Sequence, residues 1–205
     1  AIYITHAHIG HYTGLMYFGR EALGSKNLLV KVLPKMSNFL KTNGPWSQLV
    51  TLNNIQIQNT KFDVSNSELS NVGVTPIQVP HRDEYSETAG YIIKGKNKKA
   101  LFIPDIDKWE KWTENIQDIV KENDFSLLDG TFFDINELPG RDMSKIPHPF
   151  IVESIEVLND VSGKSGVYFI HLNHTNPALN RNSNATKVIM QKGFNVASRN
   201  QIFHL

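Results

Sequence analysis

The run Thr5-His6-Ala7-His8-Ile9-Gly10-His11 puts three imidazoles within six residues. Neutral imidazole is the commonest protein ligand for zinc and related transition metals, so the run reads as the nucleus of a metal site. The chain has no cysteine, which excludes a disulfide, a thiolate metal site and a cysteine nucleophile. Any metal must then be held by nitrogen and oxygen donors. Three further ligand-type residues fall where strand-like runs end. His81 follows Thr75-Pro76-Ile77-Gln78-Val79-Pro80, Asp105 follows Leu101-Phe102-Ile103-Pro104, and His171 follows Val167-Tyr168-Phe169-Ile170. Taken singly, each is as readily a helix cap or a surface residue. Their recurrence at strand termini, where active sites of layered α/β folds gather, makes them candidates together.

The elements that must position these groups alternate between strand and helix periods, the pattern of an α/β layered fold. Residues 1–5 read as a strand feeding the histidine run. A helix is expected over 12–23 with Gly24 as its stop. A strand over 27–33 and a helix over 34–40, with Pro34 in its first turn, come next. The stretches 46–59, 61–64 and 72–79 carry β-type character. Residues 90–94 and 100–103 read as a hairpin across Gly95-Lys96-Asn97-Lys98. The apolar face Trp109, Trp112, Ile116, Ile119 and Val120 predicts a helix over 106–121, with Asp105 or Asp107 as its cap. Strands over 125–129, 166–170 and 194–197 and helices over 150–158 and 185–192 complete the pattern. No repeat or linker interrupts it, so residues 1–205 are expected to form one domain.

Composition sets the limits. A chain of 205 residues can bury roughly 70% of its unfolded surface. Its 40% hydrophobic, 20% charged and 10% aromatic residues are those of an ordinary globular protein. Twenty-one Lys+Arg against 20 Asp+Glu leave a net charge of +1, so no single-sign field recommends nucleic acid or an anionic membrane as partner; charge is silent on substrate, and a small-molecule substrate is the expected partner. No apolar run approaches the ~20 residues of a membrane span. The chain opens in a strand, Ala1-Ile2-Tyr3-Ile4, without Met; upstream sequence is expected, and localisation is left open.

Over nearly its whole length the chain resembles the metallo-β-lactamase superfamily, without the N-terminal hairpins such domains normally carry. The family's His-x-His-x-Asp-His motif reads here as His6-Ala7-His8-Ile9-Gly10-His11, followed by Gly14-Leu15, with Gly10 in place of the aspartate. His81 matches the third-motif histidine, Asp105 the bridging aspartate and His171 the last histidine, with His174 in Asn173-His174-Thr175-Asn176 as the alternative. Within the superfamily, residues 5–24, 79–85 and 102–107 are most similar to the branch containing protein B of pyrroloquinoline quinone biosynthesis.

The resemblance implies an αββα sandwich of two mixed sheets flanked by helices. It implies a metal-dependent hydrolase using a metal-activated water on a phosphodiester, lactone or other ester. His6, His8 and His81 would hold a first metal, His11 and His171 a second, and Asp105 would bridge them. The cofactor would be one or two zinc ions, with iron or manganese as the other metals such donors accept. Gly10 removes a charged ligand, so the second ion should bind more weakly, be absent, or recruit Asp83, Glu87 or Asp107. Asp105 or His174 would take the proton. Arg82, Tyr85, Asn173 and Asn176 flank the ligands on loops and are candidate substrate-facing groups. Thr131-Phe132-Phe133-Asp134 and Asp129 are candidate pocket and supporting residues. Two other readings stand beside the hydrolase: an iron-dependent oxidase or oxygenase like the quinone-biosynthesis branch, and a non-catalytic metal or small-molecule binding protein. A homodimer is an allowed assembly.

Overall fold

Short β-branched runs separated by amphipathic turns fold here into two sheets with helices outside them. The computed structural model describes residues 1–69 and 71–205. Strands β1 (Ile2–Tyr3), β2 (Leu28–Val32) and β3 (Ile55–Asn59) form a three-stranded sheet, parallel throughout rather than mixed as expected. Helices α2 (Pro34–Thr42) and α3 (Trp46–Thr51) pack on it. Met36 and Leu40 lie one turn apart and are buried with Leu49 against Val30, Val32 and Ile55, the spacing that gives a helix an apolar stripe.

The second sheet has seven strands: β4 (Asn66–Leu69), β5 (Val72–Gln78), β6 (Ala89–Lys94), β7 (Lys99–Ile103), β8 (Phe125–Asp129), β9 (Val167–Ile170) and β10 (Asn195–Val196). They lie in the order β10-β9-β8-β7-β6-β5-β4. Pairing is antiparallel from β4 to β7 and parallel from β7 to β10. Parallel neighbours need long crossovers, supplied by segments containing α4 (Ile116–Lys121), α5 (Ile151–Leu158) and α6 (Asn184–Gln191). Ile116, Val120, Ile151, Ile155, Leu158 and Ile189 from these helices are buried with Leu101, Ile103, Leu128, Val167 and Phe169 of the sheet in the larger core. None of the described helices is long and apolar enough to cross a membrane.

The two sheets are tied together where the site begins. Tyr91 Oη donates to the Ile4 carbonyl at 2.6 Å, Ala89 N to the Thr5 carbonyl at 3.0 Å, and Ala7 N to Ser86 Oγ at 2.8 Å. The chain leaving β1 therefore cannot drift relative to β6, and the histidine run starts from a fixed point.

Several local expectations are corrected. The helix expected over 12–23 is a single turn, α1 (Ile9–Tyr12), followed by a 3₁₀ segment over Thr13–Phe18; Gly24 does take a positive φ of 55°. The first half of the β-type stretch 46–59 is helix α3, because Trp46, Leu49 and Val50 sit at i, i+3 and i+4, a spacing that short apolar runs share with strands. Residues 61–64 form a turn in which Asp63 has φ 60°. The helix expected over 106–121 is broken into a 3₁₀ turn, Trp109–Lys111, and α4. Its indoles cause the break: Trp109 Nε1 donates to Ser154 Oγ and Trp112 Nε1 to the Gln78 carbonyl, both at 2.9 Å. The α4 cap is Asn115, whose Oδ1 accepts from Gln117 N, rather than Asp105 or Asp107.

Candidate metal centre

Strands β5, β7, β8 and β9 point the same way, so their C-terminal ends share one edge of the sheet. His81 follows β5, Asp105 follows β7, Asp129 ends β8 and His171 follows β9. His6 and His8 leave β1, with His8 at the N-cap of α1 in an extended conformation and His11 one turn later. His171 has φ 60°. For a residue with a side chain this region is sparsely populated and costs of order 1 kcal/mol or more. The strain falls on a candidate ligand, whose Nε2 comes to 3.2 Å from His11 Nε2.

Three groups of donor atoms result, each within 4.8 Å internally: His6, His8, His81 and Asp105; His11, Asp105 and His171; and Asp105, Asp129 and His148. Asp105 belongs to all of them. Its Oδ2 lies 3.1 Å from His11 Nε2, 3.3 Å from His6 Nε2 and 3.6 Å from His81 Nε2. His6 Nε2 is 2.9 Å from His8 Nδ1, while His8 Nε2 faces Glu84 Oε2 at 2.9 Å. A carboxylate on one ring nitrogen fixes the tautomer and leaves the other as a lone-pair donor. A second such relay acts on His171. Thr131 Oγ1 donates to Asp129 Oδ1 at 2.6 Å and lies 2.9 Å from His171 Nδ1. The hydroxyl proton is used on Asp129, so His171 Nδ1 must donate and its Nε2 is left with a lone pair. We expect Thr131→Val to weaken metal binding at the His11–Asp105–His171 group about 10–100-fold, the usual cost of losing an outer-shell partner. Thr131→Ser should retain it; competitive chelator titration of the two variants checks this.

The donor set fits a metal on an observation independent of family. Both ring nitrogens of His81, and Asp105 Oδ1, are buried without a hydrogen-bond partner. Asp105 Oδ1 lies 3.0 Å from His148 Nδ1, but that N–H is directed at Asp129 Oδ2, 2.8 Å away. A buried polar atom left unpaired costs about 1–3 kcal/mol. A cation at the focus of these atoms accounts for their arrangement.

Protonation states agree. Burial lowers the pKa of His6 and His171, and takes His81 down to about 4, so these imidazoles are neutral at pH 7, as ligands must be. Burial alone would raise Asp105, but the imidazoles of His11, His148 and His6 packed against it hold it far below the usual carboxylate range. His148 goes the other way. Burial opposes its cation, yet Asp105 and Asp129 together push it up to about 9.

The structure thus brings His6, His8, His11, His81, Asp105 and His171 to one place. His174 stands exposed on the following loop and joins none of the three groups. Asn176 is buried; its amide donates to the Gly130 and Thr131 carbonyls and accepts from Ala178 N, which leaves nothing for a substrate. Asn173 Nδ2 donates to Thr175 Oγ1. Arg82 and Tyr85 are exposed, Arg82 3.9 Å from Glu84 and Tyr85 beside Phe39. Of the suggested substitute ligands, Asp83 accepts from Thr88 Oγ1, Glu87 from Lys35 N, and Asp107 from Lys108 N and Lys111 Nζ. Asp129, a candidate supporting residue, reaches His171 through Thr131. His148 escaped the sequence reading because it follows no strand. The available signal was Pro147-His148-Pro149, a backbone restrained on both sides of a ligand-type residue. At Gly10 an added Cβ would meet nothing within 4 Å. A cavity of about 400 Å³, bounded by Tyr3, Gly10, Phe102, Pro104 and Ile170, opens on His11 and His171.

Comparison with known proteins bears on the family and the fold. The sequence profile of the beta-lactamase superfamily domain matches residues 1–172. Coenzyme PQQ synthesis protein B of Acinetobacter baumannii (strain ACICU) is 31% identical over 134 residues, covering 60% of this chain and 43% of that protein. The protein of the same name from Methylobacillus flagellatus is 28% identical over the same length and shares. The match therefore spans less than half the length of these curated relatives. Among solved structures, Zn²⁺-bound PqqB from Methylobacterium extorquens has a TM-score of 0.83 at 19% identity, covering 99% of this chain and 72% of that one. YhfI from Bacillus subtilis, a metallo-beta-lactamase fold protein, has a TM-score of 0.63 at 14% identity, covering 95% of this chain and 72% of that one.

Proposed function

The chain belongs to the beta-lactamase superfamily, and from that premise we propose that it is a metal-dependent hydrolase acting on a phosphodiester, lactone or other ester of a small molecule. The observation that carries the reading is the convergence of six imidazoles on Asp105, with buried donor atoms left unpaired among the described residues. His6, His8 and His81 with Asp105 would hold a first ion, and His11 and His171 with Asp105 a second. Zinc bound there supplies an activated water, whose pKa falls toward about 7, and polarises the oxygen of the scissile carbonyl or phosphoryl group. Asp105, held ionised by the imidazoles around it, would orient the nucleophile. His174, the other candidate for taking the proton, is exposed and joins none of the donor groups. Arg82 and Tyr85, exposed beside Glu84 and Phe39, are the groups that would meet a substrate's outer part.

Elemental analysis of protein purified without added metal, paired with turnover on ester and phosphodiester panels, tests the reading. We expect one to two zinc ions per chain, activity lost on chelation and regained with zinc. A second reading has its own support: His11, Asp105 and His171 form a two-histidine, one-carboxylate set of the kind that holds iron in oxygenases, and the curated relatives are named for PQQ synthesis. Stoichiometric iron with oxygen consumption would replace the hydrolase by that oxidase.

A further inference from the structure

We propose that His148 is a positioning residue, which with Asp129 fixes the plane of the Asp105 carboxylate so that its Oδ2 faces His6, His11 and His81. This rests on the metal-centre reading above and adds to it a residue outside the two ligand sets. Asp129 is fully buried and cannot swing, because each of its oxygens is held twice. Oδ1 accepts from Thr131 N and Thr131 Oγ1, and Oδ2 from Ile106 N and His148 Nδ1. His148 Nδ1 is therefore tied to a fixed post at 2.8 Å and sits 3.0 Å from Asp105 Oδ1. Its ring is wedged among His81, Phe132 and His171, with centroids at 5.4, 6.1 and 6.4 Å. Pro147 and Pro149 restrict the backbone that carries it.

The same Asp129 thus serves two arms, one through Thr131 to His171 and one through His148 to Asp105. Both end on the His11–Asp105–His171 group, which Gly10 leaves with only three protein ligands. A site with few ligands depends most on having them held in place beforehand.

The test is a cobalt(II) titration of metal-free protein, read by visible absorption, with thermal melting of the metal-free form as the fold control. His148→Leu removes the donor. His148→Asn places an amide N–H close to where Nδ1 stood. We expect His148→Leu to weaken the cobalt held through Asp105 about 10–100-fold and to shift its absorption bands. His148→Asn should restore both affinity and bands. If the leucine variant does not fold, His148→Gln takes its place, since its amide reaches the Nε2 position instead. Wild-type affinity and spectrum in the leucine or glutamine variant would overturn the proposal. So would equal loss in the asparagine variant, or a spectrum there showing one nitrogen donor fewer, which would make His148 a ligand. Wild-type protein that takes up no cobalt would remove the metal-centre reading itself, and the His148 proposal with it.

Discussion

Asp105→Asn should strip the protein of metal and of hydrolytic activity together. The side chain is only 4% exposed and stands within 3.6 Å of four imidazole nitrogens. The amide keeps its volume, so the fold should survive, but the charge is lost and one oxygen becomes an N–H donor that cannot face a cation. Because Asp105 contributes to all three donor groups, no single-ion state escapes the change. Loss of an outer-shell partner alone costs about 10–100-fold in affinity or activity; losing the shared carboxylate should exceed the upper end of that range for both. Equilibrium dialysis with elemental analysis, followed by turnover at matched free metal, measures it. His174→Ala is the informative control and should keep its metal. Full metal content in Asp105→Asn would mean that the histidines alone define the centre.

Phe169→Ala should be the most damaging single truncation away from the donor atoms. Phe169 has no exposed surface and its ring packs 6.1 Å from that of Phe194. Gly130 lies so close that a Cβ there would come 2.9 Å from the Phe169 Cβ, so the neighbouring backbone has no room to settle inward in any orderly way. Truncations of this kind cost about 3–5 kcal/mol, a large part of the roughly 5–15 kcal/mol that holds a typical domain together. Phe169→Leu, which keeps most of the volume, should cost less than about 1.5 kcal/mol. Urea midpoints of the metal-free proteins test both. Since β9 also aims His171, the alanine variant should lose metal affinity as well, whereas the leucine variant should not.

The parts of the centre legible in the sequence are those that a repeating pattern exposes. His6, His8 and His11 stand at a visible strand-to-helix junction, and His81, Asp105 and His171 each punctuate a run of β-branched and aromatic residues. That rule could not find His148, which lies between two prolines ahead of α5 and is brought in by a crossover, nor separate Asn176 from Asn173, since only the fold decides which amide is used up on backbone. The role of Asp129 was visible as a class of residue, but not its division between Thr131 and His148. Among the elements, 46–51 was misread because six residues are too few to separate a helical spacing from a strand. The segment 106–121 was misread because two indole hydrogen bonds to α5 and β5 outweigh its helical period, and tertiary contacts of that kind leave no local trace.

The ties between Ile4, Thr5 and β6 have a counterpart at the donor cluster. His6, His8 and His11 belong to the strand end of one sheet, and His81, Asp105 and His171 to the other, so an ion shared among them would rivet the two sheets together at the edge where those strands end. Measured along the polymer, His11 and His171 are 160 residues apart. Joining two points so distant removes much of the freedom of the unfolded chain, by about 4–5 kcal/mol in the simplest account of a covalent cross-link closing a loop of that order. In a polypeptide without a single cysteine, an ion held there would take the place that a disulfide fills elsewhere.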